Sequence, residues 1–182
     1  MSHQEYLETE RRSETKHEYL RGEVHAMAGG TPEHAALAMA LGAELSLALR
    51  GRPCRLYSSD LRVWVKETDF ATYPDITIIC GKLEVAAVDP LSATNPVVLV
   101  EILSDSTEAH DRGAKFAHYR HIATLREYVM VSQAEHLIEV FRKNELGIWE
   151  LHEARAGESF TLTSVGVSLT VDTVYRNPLE PS

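Results

Sequence analysis

Val97-Val98-Leu99-Val100-Glu101-Ile102-Leu103 is the most β-prone run in the chain. Its apolar character is continuous rather than alternating, which predicts a central strand covered on both faces. Upstream, Tyr73-Pro74-Asp75-Ile76-Thr77-Ile78-Ile79-Cys80 reads as another buried strand stopped by Gly81, and Cys54–Tyr57 and Leu61–Lys66 as two more. Before these, Thr31-Pro32-Glu33 is a helix start, with Thr31 as N-cap and Pro32 at the first helical position. Leu37, Leu41, Leu45 and Leu49 then continue at helical spacing until Gly51 and Pro53 end the element. Lys16–Ala28 reads as a hairpin turning at Arg21-Gly22, and residues 1–15 as a peripheral segment. Downstream of the central run, Ser104–Asp111 leads into a helix carrying Phe116, Tyr119 and Ile122. A strand at Glu127–Ser132 follows, then a meander at Leu137–Arg142, Ile148–His152 and Phe160–Leu162. Lys82–Asn95, interrupted by Asp89-Pro90 and Asn95-Pro96, reads as a loop. The order predicts an α/β (α+β) fold with a mixed sheet flanked by helices.

The chain has 182 residues, 44% of them hydrophobic and 25% charged, which suits a single globular domain spanning 1–182. No stretch approaches the roughly 18 apolar residues of a membrane span, and the polar N-terminus has no apolar core of a secretory signal. Cys54 and Cys80 form no CxxC pattern and read as small buried hydrophobes in a reduced, cytoplasmic protein. A formal charge of −9 argues against a protein that coats nucleic acid non-specifically. Positive charge is nevertheless clustered, at Arg11, Arg12 and Lys16 and at Arg50, Arg52 and Arg55. The second cluster and the Lys82–Asn95 loop are expected to face a substrate.

Two carboxylates stand out. Asp75 follows Pro74 at the start of an apolar strand, and Glu101 interrupts the central run. An ionised carboxylate inside a buried strand costs free energy unless it is paired, hydrogen-bonded or bound to a metal. On adjacent strands the two would converge on one hard divalent cation, Mg²⁺ or Mn²⁺, which retains waters and takes a substrate phosphate. The alternative is structural: Asp75 caps a turn and Glu101 makes a salt bridge at the strand end. On the following helix Asp111, Lys115, His118, Tyr119 and Ile122 share one face, so Lys115 could reach the carboxylates and orient water or offset phosphate charge. Here too a plain Asp111–Lys115 surface pair is the competing reading. No GxxxxGK[ST] loop, GxSxG elbow or HExxH helix is present.

An ordered set of short motifs runs through almost the whole chain, from about Glu5 to Tyr175. It comprises Lys16-His17-Glu18-Tyr19 with Gly22-Glu23-Val24, Ser59-Asp60-Leu61-Arg62-Val63, Tyr73-Pro74-Asp75, Val100-Glu101-Ile102-Leu103-Ser104, Ser106-Thr107, Asp111-Arg112-Gly113-Ala114-Lys115, Tyr119 and Leu125-Arg126-Glu127-Tyr128. With these the chain resembles the Uma-type restriction endonuclease family, a bacterial branch of the PD-(D/E)XK nuclease superfamily. The resemblance implies a restriction-endonuclease-like core and metal-dependent phosphodiester hydrolysis in DNA. It places Asp75 and Glu101 as metal ligands and catalytic residues. The superfamily pattern has a lysine two positions after the second acid; here that position is Leu103, and Lys115 takes its place.

Glu18, if the hairpin folds over the site, His34 in the first turn of the long helix, and Glu44, matching the first-helix acids of some nucleases of the superfamily, are additional candidates. Leu103 also supports an alternative function, a non-catalytic nucleic-acid-binding module that keeps the nuclease fold. A homodimer through the Leu137–Leu162 meander is compatible with either function.

Overall fold

The computed structural model describes residues 1–27 and 29–179. Helix α1 (His3–Glu10) starts at a Ser2/Glu5 capping box. Strands β1 (His17–Leu20) and β2 (Glu23–Ala26) form the expected hairpin; Arg21 and Gly22 both have positive φ (47° and 96°), as a tight hairpin turn requires. Helix α2 (Pro32–Ala48) follows, its Thr31 hydroxyl accepting from the His34 amide. Strands β3 (Cys54–Ser58), β4 (Arg62–Val65), β5 (Phe70–Thr72), β6 (Ile76–Cys80), β7 (Val85–Ala86), β8 (Asp89–Ala93) and β9 (Val98–Ile102) come next. A short helix α3 (Glu108–His110) passes through one π turn, Asp111–Lys115, into α4 (Phe116–Tyr119). The chain ends with β10 (Glu127–Val131), β11 (Leu137–Lys143), β12 (Trp149–Arg155), the hairpin β13 (Ser159–Leu162)–β14 (Val167–Thr170) and α5 (Val171–Tyr175).

The run Val97–Leu103 contains β9, in the middle of a mixed sheet ordered β12-β11-β10-β9-β6-β3, with β9 and β10 parallel and the other pairs antiparallel. Because strand side chains alternate, Val98, Val100 and Ile102 enter one core with Leu37, Leu41 and Leu45 of α2, while Leu99 and Leu103 enter a second with Phe116, Tyr119 and Val63. Burial on both faces explains why the run is apolar throughout. Glu101 belongs to the second face, beneath the π turn.

A second sheet, ordered β2-β1-β5-β4-β8-β7, packs against that face. It includes residues read from sequence as a loop. Within Lys82–Asn95, β7 and β8 form a hairpin at the sheet edge, and Pro90 is tolerated because β8 pairs with β4 only at Ser92 and Ala93. Residues 1–15 hold α1, whose Tyr6 and Leu7 are buried against Tyr19. The cysteines also differ from expectation. Cys54 and Cys80 lie directly opposite each other in the β3/β6 register, with Cα atoms 3.9 Å apart, and form a disulfide. Neither cysteine reveals this alone, because the pairing depends on two strands 26 residues apart. Among the described residues, no helix is long and apolar enough to cross a membrane.

Candidate active site

At the C-terminal end of β9 a cavity of about 360 Å³ opens between the two sheets. Ile76 pairs with Val100 in the antiparallel β6/β9 ladder, and continuing that register sets Asp75 opposite Glu101. The backbone confirms the approach: the Ile102 amide donates to Asp75 Oδ2 at 2.7 Å. Two carboxylates directly across a ladder repel unless a cation compensates them. Part of that compensation comes from Lys115, whose Nζ lies 3.2 Å from Glu101 Oε1 and 2.8 Å from Asp111 Oδ1. Lys115, Glu101 and Asp111 are all buried, at 6%, 3% and 2% exposure, so the Asp111–Lys115 pair is not a surface pair. The π turn carries both side chains inward, an irregularity that recurs at functional sites.

Asp75, Glu101 and Lys115 therefore line one cavity, together with Glu18 and His34. His34 Nε2 is 3.1 Å from Asp75 Oδ2, and Gly30 leaves room for the ring, since a Cβ there would stand 2.6 Å from His34 Nδ1. Glu18 reaches the cavity because β1 pairs with β5: it accepts from the Thr72 hydroxyl at 3.0 Å and lies 2.7 Å from His110 Nε2. Glu44 is not a lining residue; ten positions beyond His34, it stands about 15 Å further along α2. Leu103 packs in the second core rather than facing the cavity. Asp111, which the sequence marks only as a partner of Lys115, and His110 are further site residues. The i, i+4 spacing of Asp111 to Lys115 is the signal for the first, and nothing local marks the second.

Burial pushes the Glu101 carboxyl up to about 8; Asp75 and Asp111 add to the rise, while Lys115 and a 2.7 Å hydrogen bond from the Tyr119 hydroxyl oppose it. Burial works against the Lys115 ammonium too, but Glu101 and Asp111 outweigh it and hold its pKa above the usual lysine value. The hydrogen bond to Asp75 raises the His34 pKa despite partial burial. For Glu18, burial is overcome by the His110 hydrogen bond and by the charges of His110 and Lys115, which hold the carboxyl below its usual range. The cavity thus gathers four carboxyl groups, Glu18, Asp75, Glu101 and Asp111, around one lysine. Among the described residues, no three His, Cys, Asp or Glu side chains are grouped to hold a metal ion by themselves.

A larger hollow, about 500 Å³, lies at the opposite end of the central sheet and contains none of the residues expected at the site.

Several known proteins resemble this chain. The uncharacterized protein slr1290 of Synechocystis sp. is 36% identical over 176 residues, covering 97% of this chain and 92% of that protein. The uncharacterized protein sll1609 of the same organism is 32% identical over 149 residues, covering 82% and 84%. A crystal structure from Anabaena variabilis, described as a "putative nuclease belonging to DUF820", superimposes with a TM-score of 0.76 at 16% identity, covering 94% of this chain and 96% of that one, and so shares the fold. The family model for Uma2, described as "Putative restriction endonuclease", matches residues 3–172, and the chain belongs to that family.

Proposed function

We propose that this chain is a single-domain, divalent-metal-dependent endonuclease that hydrolyses phosphodiester bonds in DNA. The observation that carries the reading is the Asp75–Glu101–Lys115 constellation: two carboxylates facing across a ladder with a buried ammonium against one of them. The donor set fits Mg²⁺ or Mn²⁺. Asp75 Oδ2 and Glu101 Oε1 are occupied by hydrogen bonds, and the second oxygen of each carboxylate has no hydrogen-bond partner among the described residues. Two carboxylate oxygens with the rest of the shell left to water and phosphate is the usual manner of Mg²⁺ binding. Bound there, such an ion supplies a more acidic water and a positive charge beside the phosphodiester.

The protein groups have separable tasks. Asp75 is held by the Ile102 amide and His34, so its free oxygen is aimed before any ligand arrives. Lys115 stays protonated between Glu101 and Asp111 and therefore serves as a donor to the attacking water or to a non-bridging phosphate oxygen, not as the base. Tyr119 fixes the Glu101 rotamer through its hydroxyl. The hairpin β1–β2 brings Glu18 against His110 of α3, and together they bound the substrate's approach. In the net reaction water oxygen bonds to phosphorus, one bridging P–O bond breaks, and the leaving oxygen takes a proton. A homodimer belongs to the same proposal, since two copies would cut both strands of a duplex.

The test is plasmid cleavage by purified protein with Mg²⁺ or Mn²⁺. We expect nicked or linear product from the parent chain and none from Asp75→Ala, whose fold is checked by circular dichroism. Equal cleavage by Asp75→Ala would overturn the assignment. Duplex binding without hydrolysis in every metal would establish the non-catalytic module instead.

A further inference from the structure

We infer that the end of the central sheet opposite the candidate active site is a second nucleic-acid contact, one that binds backbone phosphates. The observation is a set of cations without carboxylate partners. Arg126 precedes β10 and Lys143 ends β11; the Lys143 amide donates to the Arg126 carbonyl at 2.9 Å, and the Glu127–Arg142 register sets the two residues opposite each other. Like charges directly across a ladder destabilise it, yet neither is paired with a carboxylate among the described residues. Both line the 500 Å³ hollow with Arg142. The one carboxylate in that lining, Glu127, is fully buried and already taken by Arg142 at 2.9 Å and by the amides of Thr163 and Ser164. Cys80 forms another wall, and its bonded partner Cys54 lines an adjoining hollow with Arg50 and Arg55, which also lack carboxylate partners among the described residues. Four cations at one sheet end, none neutralised by a carboxylate among the described residues, form a local field suited to a polyanion in a chain of net charge −9.

This surface is distinct from the catalytic cavity. Val97, level with Arg126, is four residues before Glu101, or about 13 Å along the strand, and the two ends face opposite ways. The choice of nucleic acid over another polyanion rests on the nuclease reading; the anion surface itself does not. A duplex held at this end would tether long DNA while a separate stretch enters the cavity.

The test is the salt dependence of binding to a labelled DNA duplex in EDTA, comparing the parent, Arg126→Gln/Lys143→Gln, and a charge-matched control, Arg12→Gln/Lys66→Gln. We expect the slope of log K against log salt to shrink by about 1 for each phosphate-binding cation removed, in the first variant and not in the control. Because the first variant relieves a repulsion, its urea midpoint should equal or exceed the parent's. Slopes and affinities that match the control would overturn the inference. So would loss of inorganic phosphate binding, or of phosphatidylserine vesicle binding, with the duplex slope unchanged. Asp75→Ala should retain the parent's slope. An inactive parent with the expected slope change would refute the nuclease reading alone, and Asp75-dependent cleavage without the slope change would refute the second contact alone.

Discussion

Lys115 holds two carboxylates together where water scarcely reaches, and removing it should show how much of the site depends on one charge. Breaking a buried ion pair from one side typically costs about 3–5 kcal/mol, because the remaining charge is left without compensation. Lys115→Met should therefore lower the unfolding free energy by on the order of 3 kcal/mol in urea titrations. Adding Glu101→Gln should return part of that loss, since the amide needs no counter-ion. If the two substitutions were simply additive, the pair would not be energetically coupled. The same residues show how far a sequence can be read. Glu101 is legible because a charge inside seven otherwise apolar residues requires a reason, and Asp75 because it opens the neighbouring strand. His110 is not: its partner Glu18 is 92 residues away, and only the β1/β5 pairing brings the hairpin over the cavity.

Elements show the same division between local and distant causes. The helix α2 and the β1–β2 turn are readable because their signals, Thr31-Pro32 and Arg21-Gly22, act within a few residues. Strands β5, β7 and β14 are short, and their stability comes from neighbours in the sheets rather than from their own composition. The disulfide is an element-scale feature as well, since it clamps the edge strand β3 to β6. Closing a loop of 26 residues removes unfolded-chain entropy equivalent to about 3 kcal/mol. Cys54→Ala/Cys80→Ala, or the parent in dithiothreitol, should lose roughly that much stability in urea, with the Asp75–Glu101 cavity unaffected. Thiol titration of the unreduced protein should find no free thiol in the native state. Two titratable thiols, with no stability change on reduction, would show instead that both cysteines are reduced in the native protein.

At the scale of the molecule, a buried polar chain ties the second sheet to the turn before Asp75, in addition to the Glu18–His110 contact. Arg62 on β4 donates to Ser92 at 2.7 Å and to the Tyr73 hydroxyl at 2.9 Å, and pairs with Asp89 on β8; Tyr73 in turn donates to Glu10 of α1. Since Tyr73 is two residues before Asp75, the network that docks α1 and the β7–β8 edge also anchors the turn presenting the Asp75 carboxylate. Asp89 is fully buried, and burial alone would raise its pKa; the Ser92 and Arg62 hydrogen bonds and the Arg62 charge prevail and hold it below the usual aspartate value. A carboxyl whose folded pKa is depressed binds fewer protons folded than unfolded. Its contribution is complete above the unfolded pKa, 3.8 here, and is lost as pH falls through the folded one. Asp89→Asn should therefore have two effects. At pH 7 it should destabilise by about 3–5 kcal/mol, because Arg62 stays buried without its counter-charge. Below pH 3.8, where the parent loses the Asp89 contribution and the variant has none to lose, the gap between their urea midpoints should narrow. A gap that stays constant from neutral pH into that acid range would mean that Asp89 is not the group whose ionisation ties the second sheet to the site.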